Sequence, residues 1–289
     1  MSEPFRGSEA VAAGGLSKSA LRSRYRRLFP DIYLNPDSDV TPVVLAKAGW
    51  LWSGCAGVVA GVSAAALYGA AWIDTDRSVD ILHSNRSAPA GIRVRGDRFA
   101  GDEVATVGGI PVTTPARTAL DIGCWYRIGL ALPLLDALAA ATRFDLLEAE
   151  ALLECYRGRR GIRTARRALS LIDAGAQSPR ETWLRLLLID GGLPRPQTQI
   201  PIRDRSGTVV AYLDMGWEEF MVAVEYDGEQ HRTDRRQYTW DVRRLEVLEA
   251  LGWIVIRVVA GDRRESILPR VRAAISRRAS PQRDGRYSA

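Results

Sequence analysis

At 289 residues with 46% hydrophobic side chains, the chain is long enough to bury one large core or two ordinary ones. A formal charge of +6 and a pI of about 9.5 favour an anionic partner, nucleic acid first. Cys55, Cys124 and Cys155 are scattered and lack CxxC spacing, which excludes a zinc site and points to a reducing cytosol. His83 and His231 are too few for a histidine-built metal centre or triad.

Glu3, Arg6 and Glu9 interrupt any signal-peptide apolar segment. Ser17 is a helix N-cap, and Leu21 begins an apolar face. Lys18, Arg22, Arg24, Arg26 and Arg27 make this stretch basic, and Asp31 to Leu34 reads as a short β segment. A short basic helix followed by a β-wing is the outline of a winged helix-turn-helix. Its cations read either as phosphate contacts of a recognition helix or as a solvated basic face. Thr41 to Leu67 reads as two helices, the second from Val58. Gly49 to Ile73 carries no charge, but Ala, Gly and Ser dominate it, so a tightly packed soluble helix is expected there and no membrane span. Short strands are expected at Arg77 to His83, Gly91 to Arg95 and Asp102 to Val107. Thr114 caps a helix that opens at Pro115 and runs through Cys124, and Leu130 to Ala141 and Asp145 to Tyr156 continue the helical series. Arg157 to Arg167 holds six arginines and no acid. Arg159 and Arg160 there either track a nucleic-acid backbone or belong to a solvated helix face.

Ala174 to Ser178 reads as a domain boundary. Ser178, Pro179 and Glu181 then supply N-cap, N1 and N3 of a helix whose apolar face is Trp183, Leu184, Leu187 and Leu188, ended by Gly191-Gly192. Strands follow at Thr198 to Arg203, Thr208 to Asp214 and Phe220 to Asp227. With Glu218-Glu219 as a tight turn, Trp217 faces Phe220 and Asp214 faces Ala223, one diagonal step from Glu225. Glu225 and Asp227 share a side of their strand by the two-residue period. Three carboxylates on one sheet face suit a hard divalent cation, Mg²⁺ or Mn²⁺. A charged helix over Asp234 to Leu251, a strand at Trp253 to Val259, a basic helix over Arg263 to Arg278 and a disordered tail complete the chain. The expected class is α/β (α+β). The expected divisions are 1–40 (winged helix), 41–176 (helical and β region), 177–279 (mixed sheet flanked by helices) and 280–289 (tail). Each acid also has a plainer role: Glu181 in a capping box, Asp227-Gly228 in a turn, Asp241 in a helical ion pair with Arg244.

Glu181, Asp214, Glu225-Tyr-Asp227-Gly228, His231, Asp241-x-x-Arg244 and Gly252-Trp-x-x-x-Arg257, in this order, resemble the very-short-patch repair endonuclease relatives of the restriction-endonuclease-like fold. Gly15-Leu-Ser17, Tyr25-Arg-Arg-Leu-Phe-Pro30, Ser63-Ala-Ala-x-Leu67-x-Gly69 and Thr113-Thr-Pro-Ala-Arg-Thr-Ala-Leu-Asp121 resemble the AbiEi-type antitoxin of bacterial type IV toxin–antitoxin systems. The first resemblance implies Mg²⁺-dependent hydrolysis of DNA, with Asp214, Glu225 and Glu181 around the metal, which would acidify a bound water. That fold usually places a lysine two residues after the Glu. Asp227 stands there, and Lys18 and Lys47 are the only lysines, so either His231 substitutes as base or proton donor or Asp227 is a further metal ligand among the catalytic residues. The second resemblance implies a DNA-binding, non-catalytic regulator with a cognate toxin partner and a degenerate nuclease-like domain.

Overall fold

The computed structural model describes residues 3–85, 87–203, 206–228 and 244–279. It is a mixed α/β chain in two units, Met1–Ala174 and Gly175–Ala289.

The first unit opens with β1 (Phe5–Arg6), α1 (Gly7–Ala12) and α2 (Lys18–Arg24). The Ser17 hydroxyl caps α2 by accepting the Ala20 N–H at 3.0 Å. This helix ends at Arg24, because Tyr25 is extended and the alternation that buries Phe29 begins there. Arg26 and Arg27 therefore lie on β2 (Arg26–Phe29) and not on the helix. β3 (Ile32–Leu34) completes a sheet of order β1-β3-β2, and Asp31 turns the hairpin at φ 62°.

α3 (Pro42–Trp52), capped by Thr41, leads to β4 (Val58–Val59) and α4 (Gly61–Leu67). The second helix expected from Val58 thus starts three residues later: Val58 and Val59 pair with β5 (Val79–Leu82), and Val59 also with β8 (Ile110–Thr113). With β6 (Ile92–Arg95) and β7 (Val104–Val107) the sheet has order β6-β5-β4-β8-β7, and β5 and β6 run parallel. α5 (Pro115–Trp125), α6 (Ile128–Thr142), α7 (Leu146–Cys155) and α8 (Ile162–Ser170) share an Ala- and Leu-rich core with α4. Small residues set the spacing: a Cβ on Gly123 would stand 2.8 Å from the Ala165 backbone. Among the described residues no helix is long and apolar enough to cross a membrane.

The second unit begins with α9 (Pro179–Asp190). β9 (Gln197–Arg203), β10 (Val209–Trp217), β11 (Val222–Asp227) and β12 (Ile254–Val259) form a sheet of order β12-β11-β10-β9, antiparallel except for the β11–β12 pair. α10 (residues 244–250) precedes β12, and α11 (Arg264–Ala279) follows it. α9 and α11 cover one face with Leu184, Leu188, Ile267 and Val271, and Leu248 of α10 packs on the other. β12 is an edge strand. Ile254 donates inward to Met221, so Arg257 and Val259 point their backbone groups outward. Arg270 of α11 donates to the Arg257 carbonyl, and the Asp262 carboxylate accepts the Val259 N–H.

Candidate functional site

Lys18, Arg22, Arg24, Arg26 and Arg27 are all exposed on α2 and β2. Among the described residues none of the five forms an ion pair; Arg27 donates to the Phe29 carbonyl. A cation without a carboxylate partner keeps its full charge for a phosphate.

Arg159 does not join that group. Its side chain is only 10% exposed, its guanidinium lies 2.7 Å from the Asp121 carboxylate and 3.0 Å from that of Asp97, and it stacks over Trp125. Arg159 is thereby engaged inside the protein, a correction to the phosphate-contact reading, while Arg160 is exposed. The Thr113 to Asp121 motif builds the same network. Thr113 and Thr118 share a hydroxyl hydrogen bond of 2.7 Å, and buried Arg117 donates to Asp121, Glu103 and Tyr156. Burial pushes the Asp121 carboxyl up, and Arg117 and Arg159 oppose that rise. The motif is thus an internal scaffold of the unit.

The acidic site forms where β10 and β11 part. The turn between them is a 3₁₀ segment over Glu218–Phe220, followed by Met221 at φ 53°. This lengthens the connection and pairs Trp217 with Val222, Gly216 with Ala223 and Met215 with Val224. The expected facing of Trp217 with Phe220 is off by two residues, and the ladder leads Asp214 towards Glu225 itself. Simple alternation also fails at Asp214. Leu213 packs in the core under α10, Met215 in the opposite core, and Gln199 on neighbouring β9 takes φ 50°. The Asp214 carboxylate accepts the Tyr226 N–H at 3.0 Å, filling the gap between the strands. Burial, then the charge of Glu181, pushes Asp214 up to about 7, with Glu225 adding to the rise.

Glu225 is buried and clamped by Arg244 of α10, which donates to both carboxylate oxygens and to the Tyr212 carbonyl. Glu181 reaches back to Ser178 and to the Gln177 N–H, closing a capping box. Asp227 stands 4.0 Å from Arg257. His231 and Asp241 lie outside the described residues. Glu181, Asp214 and Glu225 thus interact electrostatically, yet each already has protein partners. Among the described residues no group of three or more His, Cys, Asp or Glu is placed to hold a metal ion. As arranged, the Glu225 carboxylate is engaged by the Arg244 guanidinium and that of Asp214 by the Tyr226 N–H. Sequence reasoning missed Arg244 because Asp241, three residues earlier, offered a nearer partner.

Residues 55–174 match the AbiEi antitoxin C-terminal domain. Two uncharacterized proteins of Mycobacterium tuberculosis, MT2308 of strain CDC 1551 / Oshkosh and Rv2248 of strain ATCC 25618 / H37Rv, are each 34% identical to this chain over 210 residues. Each alignment covers 70% of this chain and 74% of the relative. No solved structure matches the chain. By that identity and coverage the chain belongs to the family of these two mycobacterial proteins, and it carries a segment of the AbiEi antitoxin C-terminal type.

Proposed function

We propose that the protein is a DNA-binding regulator of antitoxin type, with a cognate toxin as protein partner and a nuclease-like C-terminal unit that does not cleave. The antitoxin-domain match over residues 55–174 carries this reading. The unpaired cations on α2 and β2 support the DNA contact, as does the winged-helix outline of residues 1–40. DNA affinity of this kind rests on counterion release, so it falls steeply with salt. The expected outcome is a shift of its own promoter DNA by the full-length protein. Arg22→Ala, Arg26→Ala and Arg27→Ala together should flatten the plot of log affinity against log salt by up to about 2.7, at about 0.9 for each phosphate no longer neutralised. An unchanged slope in the triple variant would remove this surface from the proposal.

One feature favours a second reading, Mg²⁺- or Mn²⁺-dependent DNA cleavage: the charges of Glu181 and Glu225 both push the Asp214 carboxyl up, so the three acids lie within electrostatic reach of one another. Against it stand the Arg244 clamp on Glu225 and the absence of a lysine at position 227. Incubating plasmid and single-stranded DNA with either metal should leave both intact. Cleavage by the wild type that is lost in an Asp214→Ala, Glu225→Ala variant would reverse the order of the two readings.

A further inference from the structure

The parallel strands β5 and β6 end at Leu82 and Arg95, and beyond their carboxyl ends lies a pocket of about 380 Å³. In α/β sheets this is the side on which ligands bind, and the volume suits a small organic molecule. Its polar wall is His83, Ser84, Arg95 and Asp97, and Phe99, 40% exposed, lines it as well. Arg95 is held in place by the protein alone. Its guanidinium lies 4.2 Å over the Trp125 ring, and its Nε donates to buried Asp80 at 3.0 Å. Among the described residues its two terminal nitrogens donate to no protein acceptor, which leaves a fixed fork of donors for an anion.

His83 lines the same pocket, and its backbone N–H donates to the Arg95 carbonyl at 3.1 Å. The His83 Nδ1 accepts the Asn85 N–H at 2.9 Å, which leaves Nε2 as the ring's donor. Asp97 does not repel an anion strongly, because Arg159 lies 3.0 Å from its carboxylate. A fixed guanidinium fork, a histidine in the same lining, a neutralised acceptor and an exposed aromatic ring together match a phosphate linked to a flat heterocycle.

We infer that this pocket binds a nucleoside monophosphate group, with the phosphate on Arg95 and His83 and the base stacked on Phe99. Neither the antitoxin match nor the DNA-binding reading assigns it. A free nucleotide and the 5′ end of a nucleic-acid strand carry the same group. The test is calorimetric titration of the full-length Arg22→Ala, Arg26→Ala, Arg27→Ala variant, so that binding at α2 and β2 does not contribute. The probes are 5′-AMP, 5′-GMP, adenosine, inorganic phosphate and a 5′-phosphorylated trinucleotide. At least one mononucleotide or the trinucleotide should bind at least about tenfold more tightly than adenosine or phosphate, as expected when both parts of a ligand contribute. Whichever binds more tightly identifies the source. Phe99→Ala and His83→Ala, both away from the Asp80 network, should each weaken that binding about fivefold or more. No saturable binding by any phosphorylated probe at about 1 mM would overturn the inference, as would binding unchanged in both variants.

Discussion

Arg244 and Glu225 are partners in a pocket where neither is well hydrated, with side chains 13% and 9% exposed. Removing one member of such a pair strands the other, which typically costs about 3–5 kcal/mol. Arg244→Met and Glu225→Leu should each lower stability by about that amount in urea unfolding, and the double variant should recover most of the loss. Additive losses would show that the pair is not coupled. Asp214 makes a different demand. Its carboxyl is raised from 3.8 to about 7 by burial first and Glu181 second. The folded state therefore holds a proton that the unfolded state has released, and the stability this contributes is complete below about pH 4 and lost as pH rises through about 7. Asp214→Asn keeps an oxygen for the Tyr226 N–H and removes the titration. Its stability relative to wild type should rise across that window by up to about 4 kcal/mol, since a tenfold change in proton affinity is worth about 1.4 kcal/mol. A constant difference from pH 4 to 8 would mean that Asp214 titrates as an ordinary carboxylate.

At the scale of elements, what is legible in the sequence is what is local. Ser17, Thr114 and Ser178 each cap the helix they announce, because a cap needs only its own first turn. Ser178→Ala should cost about 1 kcal/mol, measured by thermal unfolding, since the hydroxyl accepts the Glu181 N–H and donates to its carboxylate. The strands that depend on distant partners are harder to see. β4 is two residues long and exists through pairing with β5 and β8, far along the chain. β8 itself follows β7 so closely that Val107 and Ile110 flank a Gly108-Gly109 turn, and the sequence reading places β7 there without its partner. The candidate site shows the same division. Glu181, Asp214 and Glu225 are legible as acids at strand and helix ends. The left-handed Met221 and Gln199, which set their actual positions, are not, because neither residue type favours that conformation.

For the molecule as a whole, charge and association are linked. The cationic charge is carried almost entirely by arginine, and the described arginines are put to different uses. Arg117 and Arg159 are internal, tied to Asp121, whereas Arg22, Arg24, Arg26 and Arg27 face solvent. A third use appears at β12, whose sequence Ile254-Val-Ile-Arg-Val-Val259 would make a sticky sheet margin if left open. Arg270 covers one outward carbonyl there and Asp262 one outward N–H, so α11 and the turn before it act as a guard against self-templating. Arg270→Ala should leave the fold intact yet make light scattering rise with protein concentration, and a variant as monodisperse as wild type would refute this. Resistance to self-association would then rest in part on Arg270, and an engineer who removed positive charge to test for DNA binding would need to leave that arginine in place.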